Sequence, residues 1–395
     1  MKRKKMIIPI VLLLIMIMST GCWDRRELND QAINIALGFD RNEDGTYQGA
    51  AQFAIPAKMG SGDKGSQSEA YFSVSGKGKN MYETVKDMQL KVSRTWFAGH
   101  RRVILIGERL AKHGLSNILD EFSRDPNVRM RTDMIVLKGG SVKEFLELSY
   151  PLERLLGNAL VKMHESAGLN PDLTLRNFLM AAAGEESSPY LPVIEKAGSS
   201  SEADSEEASS EMKLWGFAIF NKDSRFVEYL PMKKSFIRQW IAGQLQSNTF
   251  TVNIPGEKGN IAVEAYHLKS KIGTSRQGDQ VYILVTLSGK GNIRENNTRL
   301  DLTDTKNIKL VEKELNKQTA KYVKNVIQKV QPLGTDIFGF GEAFHRQHPY
   351  AWKELKKDWI QKFARAEVSV KSNLHIQEVG LTGPSGILKK HEIKK

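Results

Sequence analysis

The sequence predicts an α+β protein built in two unlike halves behind a short apolar leader. Up to residue 196, strand-like runs alternate with short helical stretches. A stretch rich in Ser, Ala and Glu follows, AGSSSEADSEEASSEM, with almost nothing to bury. Beyond it come paired alternating strands and one long amphipathic helix. The expected division is a signal peptide at 1–21, a mixed α/β N-terminal region at 22–196, an exposed acidic linker at 197–211, and at 212–390 a C-terminal antiparallel sheet packed on one long helix.

The leader is read from its charge and length. Lys2, Arg3, Lys4 and Lys5 precede an apolar run from Met6 to Met18, about 13 residues, too short to span a bilayer and shaped like a secretory signal. Directly after it stands Cys22, the single cysteine of the chain. A lone thiol forms no intramolecular disulfide. Ser19-Thr20-Gly21-Cys22 is similar to the lipobox of exported bacterial lipoproteins at Thr20 and Gly21, and departs from it at Ser19, where an aliphatic residue is preferred. The expectation is a diacylglyceryl group on the Cys22 thiol, cleavage before it and N-acylation of the new terminus. Ordinary secretion with a stray thiol is the alternative. Each buried CH₂ contributes about 0.8 kcal/mol, so two or more acyl chains hold a protein at a membrane where one does not.

The N-terminal half reads as follows. QAINIALGFDRNEDGTYQGAAQFAI is two strands joined by a turn, with Asp44-Gly45 supplying the positive φ. Asp40, Asn42, Asp44 and Gly45 imitate the start of a calcium loop, but Ala51 stands where a bidentate Glu is required, so no calcium site is expected. Residues 58–70, rich in Gly and Ser, read as a loop between strands. Met81, Val85, Met88 and Val92 fall at helical spacing and read as core. Val103 to Ile106 is a buried strand running into a helix that stops at Gly114. MIVLKG and LPVIEKAG complete the strands of this half.

After the linker, KLWGFAIF and RFVEYL are expected to open the C-terminal sheet around a turn at Asn221 to Ser224, with IAVEAYHLKSKI and DQVYILVTLSGKG extending it. Val311, Leu315, Tyr322, Val323, Val326, Ile327 and Val330 trace one face of a helix of about 25 residues. A last strand, EVSVKSNLHIQEVG, follows.

Composition points away from nucleic acid. There are 58 Lys and Arg against 45 Asp and Glu, and without the four leader cations the excess falls to 9, spread thinly along the chain. That balance suits solubility and attraction to an anionic membrane surface. Chemistry is sparse: Gly76-Lys77-Gly78 lacks the remainder of a phosphate loop, and no nucleophile elbow or zinc-protease motif is present. Glu342, His345 and His348 step around a helix that meets Pro349, which reads as a surface turn rather than a metal site. Glu185 with Glu186, and Glu206 with Glu207, lie in or near segments read as too loose for a carboxylate pair. The expectation is a binding protein with no catalytic, cofactor or metal residues.

The segment CWDRRELND, beginning at Cys22, resembles the Ger(x)C family of spore germination lipoproteins, the C subunits of nutrient germinant receptors. The resemblance continues through FAGHRRVILIGERLAKHGL, RDPNVRMRTDMIVLKG, KLWGFAIFNKDSRFVEYLP and DIFGFGEAFHRQHPYAWKELKKDWIQKFARAEVSVKSNLHIQEVG, in order over nearly the whole mature chain. It implies a lipid-anchored, non-enzymatic receptor subunit on the outer face of the inner spore membrane, partnered by the integral membrane A and B subunits and required for nutrient-triggered germination. It also implies a three-domain architecture, in which the N-terminal region splits into two smaller units. The competing readings are a solute-binding lipoprotein that delivers nutrient to a transporter, and an enzyme acting on cortex peptidoglycan.

Within the matched segments, Trp23, Arg25 and Arg26 are candidate membrane or partner contacts, an indole favouring the interface and guanidinium groups meeting phosphates. They could equally fold back onto the domain, with Trp23 as a packing anchor. Phe338 and Phe340, in a Gly-containing turn, are candidate partner contacts, with closure of the core as the alternative. Trp352 and Trp359 share a helical face and are expected in the core.

Overall fold

Hydrophobic runs too continuous to have a solvent face dictate the centre of the molecule. The computed structural model describes residues 27, 30–59, 70–169, 173–196 and 212–380. Its first sheet contains β1 (Gln31–Arg41), β2 (Tyr47–Ala54), β3 (Tyr71–Gly78), β4 (Thr95–Phe97), β5 (Val103–Gly107), β6 (Asp133–Lys138), β7 (Tyr190–Lys196), β8 (Met212–Phe220) and β9 (Phe226–Pro231). The order across it is β3-β2-β1-β5-β6-β7-β8-β9, with β4 alongside the start of β1. The middle four strands are parallel and the hairpins at both margins antiparallel. Parallel strands require cover on both faces, and alternation provides it. Leu37, Phe39, Ile104, Ile106, Met134 and Val136 point to one layer, whereas Ala36, Val103, Leu105, Ile135 and Leu137 point to the other.

The first layer is built by α1 (Met81–Gln89), α2 (Glu108–His113), α3 (Ser116–Arg124) and α6 (Leu175–Ala183); the second by α4 (Val142–Leu146) and α5 (Leu156–Ser166). Met81 and Met88 are core residues, as their spacing predicts. α2 stops at Gly114, with φ +119°. Gly45 adopts φ +81°, and Asp44 Oδ1 accepts the Thr46 N–H at 3.0 Å, so this carboxylate closes the hairpin turn. Asp40 is buried and accepts the Leu110 N–H at 3.2 Å in the first turn of α2, where a carboxylate suits the helix dipole.

The strands after the acidic stretch do not open a second sheet. Lys196 pairs with Met212, so β7 and β8 are antiparallel neighbours, and β8 and β9 finish the first sheet. The stretch 197–211, which itself lies outside the described residues, therefore connects two adjacent strands. An antiparallel pair can be joined by a connection of any length, and composition alone does not tell a hairpin excursion from a linker between cores.

The second sheet has the order β10 (Ser247–Val252), β11 (Ile261–Gln277), β12 (Gln280–Asn296), β13 (Glu367–Glu378). The first three are antiparallel, and β13 joins β12 in parallel. A parallel return needs a crossover, which begins with the predicted long helix, α8 (Thr305–Val330), capped by Asp304, whose side chain accepts the Lys306 N–H. Val311, Leu315, Val323, Val326, Ile327 and Val330 pack on the sheet as expected. Tyr322 does not belong to that face: it is 39% exposed, and Thr319 fills the stripe between Leu315 and Val323. The crossover ends in α9 (Phe340–Gln347), α10 (Pro349–Leu355) and α11 (Trp359–Arg365), preceded by α7 (Met232–Ile241) between the two sheets in sequence.

One buried base makes the fold pH-sensitive. His164 on α5 is 3% exposed and its Nε2 meets no hydrogen-bond partner among the described residues; burial lowers its pKa from 6.5 to about 4. Neutral in the folded chain and protonated in the unfolded one, it contributes stability in full above pH 6.5, and that contribution is lost as pH falls towards 4. Unfolding in urea at pH 7 and pH 5 is expected to show a loss of about 2 kcal/mol that His164→Leu abolishes.

Candidate functional site

The segment linking α8 to α9 is organised by one carboxylate. Asp336 is fully buried; its Oδ1 accepts the N–H groups of Phe338 (3.1 Å), Gly339 (3.1 Å) and Phe340 (3.3 Å), and its Oδ2 those of Gly341 (2.7 Å) and the Trp359 indole (3.0 Å). Burial pushes this carboxyl above its ordinary range, while these donors pull it back towards the ionised form. The backbone can wrap the carboxylate because Gly339 takes φ +80°, the left-handed conformation that glycine adopts without cost. Asp336 also accepts the Ser188 N–H on its main-chain oxygen at 2.7 Å, tying the N-terminal half to this turn.

The junction grows outward from there. A Cβ on Gly341 would lie 2.2 Å from the Glu186 carbonyl oxygen, so only glycine lets the 185–188 segment pack this closely. Glu186 pairs with His345, and Glu185 with Lys356 at 3.2 Å. These two carboxylates, read from sequence as loosely held, are fixed across the junction. Lys222 donates to the Ala181 carbonyl at 3.0 Å and to those of Gly184 and Ser187, closing the end of α6. Arg238, buried, donates to Ile337 O at 2.7 Å and lies 4.0 Å over the Tyr190 ring.

Phe338 and Phe340 are 1% and 0% exposed and stack on each other at 5.3 Å, so neither ring is presented to a partner. The Asp336 turn holds their backbone inward, and core closure is what these residues do. Trp352 and Trp359 are core residues, in edge contact at 5.3 Å. The Glu342, His345 and His348 set is dispersed: His345 stacks on Trp352 and His348 Nε2 contacts Thr274 O at 2.8 Å. Among the described residues, no three His, Cys, Asp or Glu are placed to hold a metal ion. Cys22, Trp23, Arg25 and Arg26 lie outside the described residues, as do Glu206 and Glu207.

Two cavities accompany this framework. One, about 580 Å³, lies at the junction beside Tyr190, Arg238 and Phe338. The other, about 830 Å³, opens in the N-terminal half between α1, α3 and the strand edges, beside Tyr47, Trp96, Arg101 and Glu121. Asp336 was visible in the sequence only as part of a Gly-rich turn, although Asp ahead of a Gly-x-Gly run is a side chain placed to bond its own following backbone. Arg101 and Glu121 carried no signal of their own, being charged residues near a buried strand and on an amphipathic helix.

The scaffold is two fused sheets whose junction residues are engaged in packing and pairing. Comparison with known proteins places that scaffold in a family. Residues 24–196 match the "Spore germination protein N-terminal domain" model, and 215–380 match "Spore germination B3/GerAC like, C-terminal". Spore germination protein KC of Bacillus subtilis (strain 168) is 25% identical across 96% of this chain and 97% of its own. The putative spore germination protein YfkR of the same organism is 27% identical across 96% and 98%. The crystal structure of the GerBC protein superposes with a TM-score of 0.57 at 18% identity, over 86% of this chain and 96% of that one, and shows the same fold. The chain belongs to the GerAC-like family of spore germination proteins, the C subunits of germinant receptors, and not to the transporter lipoproteins.

Replacing Asp336 by Ala strands five N–H donors, four of them buried, and is expected to lower stability by at least about 3 kcal/mol, read from the urea midpoint. Gly341→Ala should cost about 2 kcal/mol and release Glu186 from His345, seen as a changed His345 resonance by NMR. Retained stability in both variants would show that the turn is not what joins the halves.

Proposed function

We propose that this germinant-receptor subunit is held at the outer face of the inner spore membrane by a diacylglycerol and an N-acyl chain on Cys22, and that it works there without catalysis as the partner of two integral membrane subunits, A and B. The observation that carries this reading is the position of the family match, which begins at Asp24, two residues beyond the only thiol and directly after the apolar leader. No helix among the described residues is long and apolar enough to cross a membrane. Attachment through the N-terminus accounts for membrane residence without one.

The first strand among the described residues begins at Gln31, nine residues after Cys22. Nine residues span at most about 30 Å, so an anchor at Cys22 keeps the start of β1 within that distance of the bilayer. Trp23, Arg25 and Arg26 stand between the anchor and β1 in sequence, and an indole and two guanidinium groups suit the headgroup layer. Tethering raises the local concentration of the folded body around its membrane partners, so association needs no large intrinsic affinity.

Mild-detergent capture of the tagged protein from spore inner membranes, with mass spectrometry of the N-terminal peptide, is the direct test. Two polytopic partners and an acylated Cys22 are expected; a lone protein with an unmodified thiol would sink the proposal. Cys22→Ala should move the protein out of the membrane fraction and slow nutrient-triggered germination while leaving its unfolding midpoint unchanged.

A further inference from the structure

A helix packed on a sheet commits one face to the core and leaves the other to solvent, and on α8 the outer face carries a single sign of charge. Lys306, Lys309, Lys313, Lys317, Lys321 and Lys324 follow one another at steps of three or four residues, so they form one stripe opposite the buried Leu315, Val326 and Val330. All six are exposed. At 1.5 Å per residue the stripe runs for about 27 Å.

The fold gains nothing from this arrangement. Lys317 lies 3.8 Å from Glu314, and the other five form no ion pair among the described residues. The two acids of the helix stand aside: Glu312 Oε1 accepts the Ile376 N–H of β13 at 2.7 Å, and Glu314 is 7% exposed. Lys309, Lys313, Lys317 and Lys321 follow at four-residue intervals, where like charges repel. Lys306 and Lys309 also lie near the helix N-terminus, the end that disfavours a cation. Leu310, 37% exposed, stands on the same face between Lys306 and Lys313, and Tyr322 flanks the stripe.

We propose that the lysine face of α8 is a second membrane contact, lying along anionic phospholipid headgroups. The choice of cation selects a lipid surface over an acidic protein. Arginine, whose planar fork fixes geometry on a carboxylate, is absent from α8, and lysine is depleted from protein interfaces. Six flexible point charges in a line, with no concave wall, suit a fluid plane of phosphates. Leu310 adds an apolar contact in the headgroup layer and Tyr322 an aromatic one at its border. The inference rests on the membrane residence proposed above for its setting, but the two contacts fail separately, because the stripe is measured without any acyl chain.

The test uses the chain from residue 22 onward with Cys22→Ala, which keeps every described residue and lacks the apolar leader and the lipid. It is sedimented with vesicles of phosphatidylcholine alone, and of phosphatidylcholine with about one third phosphatidylglycerol. Binding to the anionic vesicles is expected to be at least about tenfold tighter, and to fade as salt rises from about 0.05 M to about 0.5 M. Lys309→Gln, Lys313→Gln and Lys321→Gln together should weaken it at least about tenfold, with the unfolding midpoint unchanged or raised. A control loses the same charge at exposed lysines elsewhere, through Lys86→Gln, Lys353→Gln and Lys357→Gln, and should retain binding. Arg25 and Arg26 are present in all three chains, so their contribution cancels. Equal binding to the two kinds of vesicle overturns the proposal, and so does a stripe variant that binds as the control does.

Discussion

The Asp336 carboxylate is the constraint on which the arrangement of the two halves depends. It satisfies four successive backbone N–H groups and one indole from a buried position. With those groups satisfied, the chain can leave the long helix, turn through a left-handed glycine and enter α9 while still buried. Everything at the junction follows from that turn: Phe338 and Phe340 face the core, Gly341 approaches the 185–188 segment, and Trp359 stands where Phe344 and Trp352 pack on it. A buried polar group is specific as well as costly, since only one backbone path satisfies it.

The halves are also joined by the first sheet. Because β8 and β9 lie beyond the acidic stretch yet pair within that sheet, the division between the two matched family regions falls inside a hairpin. Phe217 and Ile219 on β8 contribute to the core of the second half while Ala218 and Phe220 contribute to that of the first, so one strand serves two cores through its alternation.

The charged residues divide between two uses. Those at the junction, Arg238, Lys222, Glu185 and Glu186, are engaged with backbone or with opposite charges and hold structure. Those around the N-terminal cavity, Arg101 and Glu121, are desolvated without mutual contact.

Much of the architecture was legible in the sequence, because its signals are local. The continuous apolar runs at 103–106 and 134–137, the Asp44-Gly45 turn, the Gly114 stop and the stripe from Val311 to Val330 follow from short-range geometry. The family was legible too, through its ordered motifs. What only the tertiary structure decided concerns pairing at a distance. Sequence does not state which sheet accepts the edge strands β8 and β9, that β13 returns parallel, or that Thr319 rather than Tyr322 completes the helix face. Nor does it reveal that Phe338 and Phe340 turn inward or that Arg101 and Glu121 share a cavity. Those outcomes are set by which buried groups can be satisfied together, a condition that exists only once the chain has folded.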